Sequence, residues 1–285
     1  MLYICPTPIG NLQDITLRVL EVLKRVDLVA CEDTRHTRIL LKRHGITARL
    51  LSFHDHNEQQ RIQTLLPFLR EGKEVAVVSD AGMPGLSDPG FSLVRACAAE
   101  DIPVTVLPGP SAISTALVLS GLPAGRFAFL GFLARGRTKL LEQVAMFDGT
   151  GAALVAFESP RRIRASLAIL GGRWPERRLA VCRELTKLHE EVVRGTAAEA
   201  LQRLSDPVRG EVVLVLEPTT AMAGVRPDGA AFFAIGDVEE RARLALLELR
   251  RLGVGTKRAA SIVAGLTGLT VRRAYEMALR DHLLE

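Results

Sequence analysis

The chain is poor in the residues on which metal and redox chemistry usually depends. Its 285 residues include four cysteines, one tryptophan and two tyrosines. The cysteines form neither a CxxC pair nor, with histidines, the spacing of a zinc motif, so we expect buried thiols and no metal site. His54 and His56 flank Asp55, but no second ligand cluster accompanies them. The four cysteines, each in or beside an apolar segment, are Cys5, Cys31, Cys97 and Cys182.

Long hydrophobic runs and a nucleotide-binding glycine motif are also missing. No apolar run approaches the roughly 20 residues that cross a bilayer, and residues 1–5 resemble a strand rather than a signal peptide. We therefore predict a cytoplasmic protein. Residues 6–12 hold two prolines where a dinucleotide enzyme would carry GxGxxG. Because proline has no N–H to donate to a phosphate, this loop does not favour NAD or ATP.

Charge is distributed unevenly along the chain. The net charge is +5, and 48% of the residues are hydrophobic, which is typical of a folded protein. Residues 1–122 hold 12 Lys and Arg against 13 Asp and Glu; residues 123–235 hold 16 against 12; residues 236–285 hold 9 against 7. The positive excess lies in the later segments, where it indicates either a solvated surface or a binding surface for a polyanion.

The pattern of apolar segments predicts two α/β domains and a helical tail. Residues 1–122 alternate strand and helix, which predicts a mostly parallel sheet covered by helices on both faces. Residues 123–235 contain adjacent strands with fewer helices, which predicts a mixed sheet, and 219–229 is a connector rich in Pro, Gly and Ala. Residues 236–285 are predicted to be helical. Their last two helices fit either a nucleic-acid-binding helix-turn-helix or an element for packing or oligomer contact.

Four loops at predicted strand ends are rich in turn and polar residues. The longest, 79–90, follows the buried strand 75–78 and is about twice as long as an ordinary strand-to-helix connection. Such loops at the carboxyl ends of strands form the ligand sites of open α/β sheets. The others are 6–12, 32–35 and 108–112, the last leading into a helix capped by Ser111. Glu32 and Asp33 fit either a helix cap or a substrate-orienting cluster.

In this order, the four loops resemble the tetrapyrrole-methylase superfamily. Within it, the stretches PTPIGNL at 6–12, CEDTR at 31–35 and SDAGMP at 79–84 are similar to the branch of small-subunit ribosomal RNA ribose 2′-O-methyltransferase I. The resemblance extends to FESPRR at 157–162 and RELTK at 183–187. It implies two α/β domains with a cofactor cleft between them, followed here by a small helical C-terminal tail.

The resemblance also implies an activity. Members of this branch use S-adenosylmethionine to methylate the 2′-hydroxyl of a cytidine in the decoding region of 16S rRNA, within the 30S subunit, and are homodimeric. The superfamily's cofactor loops map onto both predicted domains. The residues so implied are Pro8, Gly10, Asp80, Gly82, Met83, Ser111, Ala112, Phe157, Leu185 and Glu211.

The resemblance does not decide which residue assists the reaction. A ribose hydroxyl is weakly acidic, so a carboxylate base is useful, and the candidates for the catalytic group are Glu32, Asp33, Arg35 and Asp88. Arg35, Lys139 and Lys187 are candidates for holding RNA phosphates. A base displaced from its stack has Phe53 or Phe132 as candidate stacking partners.

Two other functions stay open from the sequence. One is a methyltransferase for a small tetrapyrrole-like molecule, although the 79–90 loop is longer than in the tetrapyrrole enzymes. The other is a non-catalytic RNA-binding module that acts in ribosome assembly. A cofactor cleft favours an enzyme over such a module, since binding alone does not require one.

Overall fold

The computed structural model of the chain describes residues 1–219, 238–267 and 269–280. Contacts divide the chain into two units, 1–221 and 222–285. Most of the predicted connector at 219–229, the predicted boundary at 235, Gly268 and residues 281–285 of the predicted helical tail lie outside the described residues. The domain bounds 1–122 and 123–235 stay a prediction. Within the described residues, no helix has both the length and the apolar character that a membrane span requires.

The first sheet is entirely parallel, as the sequence predicts. Its order is β3-β2-β4-β1-β5, and β2 and β4 are buried along their whole length. Both faces are covered by apolar clusters, which explains why these strands are continuous apolar runs. The strands are β1 (Leu2–Ile4), β2 (Leu28–Cys31), β3 (Leu50–Ser52), β4 (Val75–Val78) and β5 (Val104–Val106).

Helices connect these strands and begin at polar caps. The Thr16 hydroxyl accepts a hydrogen bond from the N–H of Val19, and the Asp33 carboxylate accepts one from the N–H of Arg35. Ser111 occupies the N-cap position of α5, as predicted, but its hydroxyl makes no cap hydrogen bond. The helices are α1 (Leu17–Arg25), α2 (Thr34–Arg43), α3 (Glu58–Arg70), α4 (Phe91–Ala99) and α5 (Ala112–Ser120).

The strand order brings the four polar loops together. The carboxyl ends of parallel strands share one edge of a sheet, and β1 lies between β4 and β5 while β4 also borders β2. The loops after β1 and β4 are joined by two backbone hydrogen bonds between Thr7 and Gly82, at 2.9 and 3.0 Å. The loop after β2 is joined to the loop after β4 by the N–H of Asp33, which donates to Asp80 Oδ1 at 3.1 Å.

The second sheet is mixed, again as predicted. Its order is β6-β7-β10-β8-β9, and only the β6–β7 pair is parallel. Its strands are β6 (Phe127–Phe132), β7 (Ala153–Glu158), β8 (Leu179–Arg183), β9 (Glu191–Gly195) and β10 (Val212–Leu216). Its helices are α6 (Arg137–Ala145), α7 (Ile163–Arg173) and α8 (Ala197–Arg203).

Helix α5 joins the two halves of this unit. It follows the last strand of the first sheet, yet its buried Ile113 and Leu117 belong to a cluster with Val155 and Val213 of the second sheet. The opposite face of the second sheet packs against α6, α7 and α8. The start of α5 is thereby fixed beside the end of β7 and the start of β10, where the candidate site is located.

The second unit is helical over its described residues. It contains α9 (Val238–Arg251), α10 (Thr256–Thr267) and α11 (Val271–Arg280). Leu246, Ala259 and Val263 are buried in a small apolar cluster. The predicted C-terminal helices are therefore present; whether they contact nucleic acid stays a prediction.

Candidate active site

A cavity of about 380 Å³ opens between the loop edge of the first sheet and the second sheet. The first half contributes most of the 79–90 loop and the first residues of α5. The second half contributes the ends of β6 and β7 and the start of β10. Apolar side chains, including Ile9, Met83, Ile113 and Phe157, form much of its wall. This volume and this mainly apolar lining are typical of a site for a small organic ligand.

The polar side chains of the cavity are predominantly acidic. Its acidic residues are Glu32, Asp80, Asp88, Glu158 and Glu211, and its described lining includes no lysine, arginine or histidine. Such a wall attracts cationic ligands and disfavours polyanionic ones within the cavity.

Asp88 is the carboxylate with the most strongly perturbed ionisation in this cavity. Burial, reinforced by the negative charges of Glu32 and Asp80 and of the more distant Asp55, raises the pKa of Asp88 to about 7. Within the described part of the chain, no hydrogen bond or ion pair engages its carboxylate. A carboxyl group that titrates near neutral pH and has no protein partner is suited to accept a proton from a substrate.

Glu32 also faces the cavity, but it is held by the protein. Burial raises the pKa of its carboxyl group above the usual range. Its Oε2 accepts a long hydrogen bond of 3.4 Å from the N–H of Asp80. Glu32 therefore adds negative charge beside Asp88 and also helps to position the loop that carries it.

Asp33 and Arg35 lie outside the cavity. The Arg35 guanidinium donates to both carboxylate oxygens of Asp33, at 2.6 to 3.1 Å, and lowers the pKa of Asp33 well below its usual range. Because Asp33 also caps α2, the helix-cap interpretation holds for Asp33 but not for Glu32, whose side chain faces the cavity. The catalytic roles of Asp33 and Arg35 stay predictions that this geometry does not favour.

Asp80 connects two loops at the cavity edge. Besides the N–H of Asp33, its carboxylate binds His36 Nδ1 at 3.0 Å, and this contact raises the pKa of His36 because the carboxylate stabilises the imidazolium. Donor atoms of Asp33, His36 and Asp80 lie within 4.8 Å of one another. This cluster differs from the His54–His56 pair, and hydrogen bonds within the protein account for its geometry.

A buried ionic network at the end of β7 was missed by the sequence reasoning. Glu158 is buried, and its carboxylate accepts hydrogen bonds from the Ser166 hydroxyl at 2.6 Å and from the N–H of Ser159 at 2.7 Å. Arg162 forms a 3.2 Å ion pair with Glu158 and donates to the carbonyls of Leu133 and Ala134. The network fixes the loop after β6 against the turn after β7. A Glu at the end of an apolar strand, with Arg four residues later, is the signal that points to it.

Comparison with known proteins agrees with this arrangement. Residues 1–201 match the family model of the Tetrapyrrole (Corrin/Porphyrin) Methylases. The chain is 42% identical over 290 residues to "Ribosomal RNA small subunit methyltransferase I" of Escherichia coli O157:H7, covering 98% of this chain and 95% of the relative. It is 46% identical over 218 residues to the protein of the same name from Hydrogenobaculum sp. (strain Y04AAS1), which covers 75% of this chain and 94% of the relative.

The chain belongs to the tetrapyrrole methylase family. Within that family it groups with the proteins named ribosomal RNA small subunit methyltransferase I. Two solved structures share its fold at low identity. Diphthine synthase has a TM-score of 0.60 at 15% identity and covers 77% of this chain and 91% of its own. Uroporphyrin-III-C-methyltransferase from Thermus thermophilus has a TM-score of 0.54 at 22% identity, and the match covers 76% of this chain and 93% of that protein. The fold class of a tetrapyrrole methylase is thereby confirmed.

Most of the cofactor residues implied by this family lie on the cavity. Those that line it are Asp80, Gly82, Met83, Ser111, Ala112, Phe157 and Glu211. Pro8 and Gly10 line a second cavity of about 260 Å³, which shares Ile9, Asp80 and Glu211 with the first. Leu185 is buried beneath the site, in the same cluster as Ile9 and Ile113, and lines neither cavity. The assignment of these residues to a cofactor stays a prediction.

Gly10 has a packing role that the sequence did not indicate. A Cβ at this position would lie 2.5 Å from Lys187 Cγ, 2.7 Å from Thr186 Oγ1 and 2.8 Å from the carbonyl oxygen of Leu185. The Thr186 hydroxyl also accepts a hydrogen bond of 3.0 Å from the N–H of Asn11. Gly10 thus permits the loop after β1 to approach the loop after β8 closely.

The candidates for RNA contacts separate clearly in the structure. Lys187 forms ion pairs with Glu184 at 2.9 Å and Glu211 at 3.1 Å, as Arg35 does with Asp33, whereas Lys139 is exposed and has no ion pair among the described residues. Phe53 is only 1% exposed, which excludes it as a stacking surface. Phe132 is 59% exposed and lines the cavity, in edge-to-face contact with Phe157.

Proposed function

We propose that this protein transfers a methyl group from S-adenosylmethionine to the 2′-hydroxyl of a cytidine ribose in the decoding region of 16S rRNA. Its sequence similarity to the ribosomal RNA small subunit methyltransferases I supports the rRNA substrate. The observation that carries the proposal is the acidic, partly apolar cavity, in which the implied cofactor residues and the carboxyl group of Asp88 face the same space.

The chemistry of the cavity lining fits the cofactor. The methyl group and the adenine ring of S-adenosylmethionine require apolar contacts, which Ile9, Met83 and Phe157 offer. A sulfonium and an ammonium group are positively charged, and the carboxylates of Asp80 and Glu211 are of the complementary sign. We infer that these residues hold S-adenosylmethionine in this cavity.

When bound, S-adenosylmethionine supplies a methyl group that is attached to a positively charged sulfur atom. Transfer of the methyl group leaves this sulfur as a neutral thioether. The protein must hold the ribose oxygen in line with that methyl group, since alignment at about 3–3.5 Å is itself a large part of catalysis. We assign Asp88 as the base that accepts the hydroxyl proton, because its carboxylate lines the cavity and titrates near neutral pH. Glu32 raises the proton affinity of Asp88 through its charge.

The acidic lining favours an RNA ribose over a tetrapyrrole as the methyl acceptor. A tetrapyrrole that carries several carboxylates would bring them toward Glu32, Asp80 and Asp88. A ribose is neutral, and the phosphates on either side of it can remain outside the cavity. The length of the 79–90 loop, which borders the cavity, agrees with a substrate different from that of the tetrapyrrole enzymes.

Labelled cofactor tests the proposed activity directly. The protein is incubated with S-adenosylmethionine carrying a labelled methyl group and with 30S subunits, free 16S rRNA or a tetrapyrrole, and the labelled atom is mapped. We expect label on a ribose 2′-oxygen of a cytidine in 16S rRNA, with 30S subunits as the preferred substrate. Label on the tetrapyrrole would identify a small-molecule enzyme. Absence of binding heat with the cofactor in calorimetry would favour a non-catalytic RNA-binding module.

A homodimer in the cytoplasm follows from the same proposal. The 30S substrate places the enzyme in the cytoplasm, and the family resemblance implies a dimer. Val118 and Phe127 are exposed apolar side chains near the start of the second sheet and add support for an apolar contact surface. Light scattering at micromolar concentration should give twice the chain mass of 31.0 kDa; a monomer would contradict the dimer without affecting the proposed chemistry.

A further inference from the structure

Four basic side chains project from two adjacent segments at the edge of the cavity. Arg135, Arg137 and Lys139 lie in and just after the loop that follows β6, and Arg161 lies in the turn that follows β7. All four are exposed. Within the described residues none of them forms an ion pair or a side-chain hydrogen bond, in contrast to Arg35 and Lys187.

The protein holds these two segments together. The Arg162 guanidinium donates to the carbonyls of Leu133 at 3.1 Å and Ala134 at 2.9 Å, so the residue before Arg135 is tied to the residue after Arg161. On the other side, the Gln143 side chain accepts from the N–H of Ala134 at 2.9 Å and donates to the carbonyl of Phe132 at 3.2 Å. These bonds fix the backbone that presents the four basic side chains.

This basic surface is continuous with the cavity. Phe132, Ser159 and Pro160 line the cavity, and each is within three residues of one of the four basic side chains. Phe132 is 59% exposed, so much of its side chain is accessible to solvent. The charge therefore changes from acidic inside the cavity to basic at its rim. Glu142, one turn farther along α6, is an exposed acid on this side.

We propose that Phe132, Arg135, Arg137, Lys139 and Arg161 form a docking surface for single-stranded RNA, in which the four basic side chains bind backbone phosphates and Phe132 stacks on an unstacked base. The inference rests on the proposed function and identifies where the RNA is held. Exposed cations neutralise phosphates, and an exposed aromatic ring next to them is the usual platform for an unstacked base. A neutral ribose then enters the acidic cavity while its phosphates remain at the basic rim.

The charge contribution is tested with a triple variant, Arg135→Gln/Arg137→Gln/Arg161→Gln. Its matched control, Arg18→Gln/Arg43→Gln/Arg95→Gln, removes the same charge from exposed positions that do not line the cavity. With a 16S rRNA transcript at about 0.1 M salt, the rim variant should raise Kd at least about tenfold and reduce the slope of log K against log salt by about 2. The control should change both quantities much less, and neither variant should alter S-adenosylmethionine affinity.

The stacking contribution is tested at Phe132. Phe132→Ala should weaken binding of the transcript about tenfold, and Phe132→Trp should restore it. Phe127→Ala is the control, because Phe127 is also exposed, at the other end of the same strand, and does not line the cavity. If Phe132→Ala weakens cofactor binding and not RNA binding, the ring belongs to the cofactor site and the stacking role is wrong.

The outcomes separate this surface from the proposed activity. If the wild-type protein methylates 16S rRNA while the rim variant matches its control in Kd and salt slope, the docking surface is refuted and the activity stands. If the wild type binds the transcript through the rim but transfers no methyl group, the activity is refuted and the surface stands. If the wild type binds neither the transcript nor the 30S subunit, the surface is refuted as well.

Discussion

At Asp88 the structure holds a carboxyl group that forms no ion pair with any arginine of the described residues. Asp33 shows the opposite situation, since Arg35 engages both of its oxygens and lowers its pKa. The two aspartates occur in similar polar loops, and their roles differ because of their neighbours. Asp33 caps α2, whereas the environment of Asp88 supports the role in proton transfer that we propose for it.

Replacement of Asp88 tests the assignment of the base. A protonated Asp88 cannot accept a proton, so methylation by the wild type should fall as the pH decreases through about 7. Asp88→Asn should reduce kcat by roughly 10²- to 10⁴-fold and abolish this acidic limb, with little change in S-adenosylmethionine affinity. The measurement is a single-turnover rate across pH 5.5–8.5, a range of about three units centred on the value for Asp88.

Asp55→Asn is the matched control, because Asp55 is exposed and affects Asp88 only through its charge. It should retain activity and move the acidic limb to lower pH.

The stability of the folded protein gives a second test of Asp88. An unfolded Asp titrates at about pH 4, whereas Asp88 in the folded protein titrates at about pH 7. Between these two values the folded protein keeps a proton that the unfolded chain has lost. The contribution of Asp88 to the free energy of unfolding therefore falls as the pH rises from about 4 to about 7. The difference in Tm between Asp88→Asn and the wild type should therefore increase as the pH rises through this range. If Asp88→Asn retains activity and this Tm difference does not depend on pH, the base lies elsewhere, and Glu32 is the next candidate.

At the scale of the element, the 79–90 loop is held at its end by a residue from another helix. Glu58 of α3 accepts from the N–H of Gly90 at 3.1 Å and from the Ser92 hydroxyl at 3.1 Å, and so caps α4, whose own cap residue is a glycine. Because Gly90 lies two residues after Asp88, this cap also limits the motion of the proposed base.

Removing this cap should loosen the loop. Glu58→Ala should lower the free energy of unfolding by about 1 kcal/mol, the usual cost of a lost helix cap, and should reduce kcat without removing the acidic limb of the pH profile. Glu58→Gln keeps one acceptor oxygen and should recover part of both losses. Glu71→Ala, at the exposed carboxyl end of the same helix, serves as the control. An effect of the same size at Glu71 would show that α3, rather than the cap, is responsible.

The contact between the loops after β1 and β8 depends on Gly10, which has no side chain. Gly10→Ala would place a methyl group within 2.5–2.8 Å of three atoms of residues 185–187, two of them on Leu185 and Thr186. We expect a loss of about 1–3 kcal/mol in the free energy of unfolding, typical of overpacking, together with weaker S-adenosylmethionine binding. Chemical denaturation and calorimetry measure the two effects. Gly125→Ala, where a Cβ would meet no atom within 4 Å, should leave both nearly unchanged; equal effects at both positions would contradict the packing role.

At the scale of the whole molecule, charge is divided between regions with different tasks. The proposed chemistry lies in an acidic cavity, whereas the basic rim belongs to residues 123–235, where the positive excess is greatest. Residues 236–285 carry a smaller excess and form helices over their described part. A division of this kind lets an enzyme bind a polyanion at its surface while a cationic cofactor occupies an acidic cavity.

The helical unit contributes to RNA binding in this view. Lys257 and Arg258 are exposed on α10, and Lys257→Gln/Arg258→Gln should weaken binding of the 30S subunit and lower the salt slope by about one unit. Lys42→Gln/Arg43→Gln removes the same exposed Lys-Arg pair from α2 and should leave the slope close to that of the wild type. S-adenosylmethionine affinity should be unchanged in both. Full-rate methylation of 30S subunits by the α10 variant would show that this unit only packs.

The sequence by itself determined the parallel sheet, the mixed sheet and the C-terminal helices. Continuous apolar runs such as 75–78 require burial on both faces, and polar loops that follow such runs must meet at one sheet edge. The family was also identifiable, because its motifs are long local stretches. These properties depend on residues that are close together in the chain, so local patterns are enough to predict them.

Only the tertiary structure distinguished the environments of the carboxylates in the site. Asp33, Asp88 and Glu32 are equivalent carboxylates in the sequence, and burial and neighbours from other loops distinguish them. The approach of Gly10 to residues 185–187 joins positions about 175 residues apart, as does the hydrogen bond from Asn11 to Thr186. A pKa and a close contact both depend on distances through space, which no local pattern of the chain specifies.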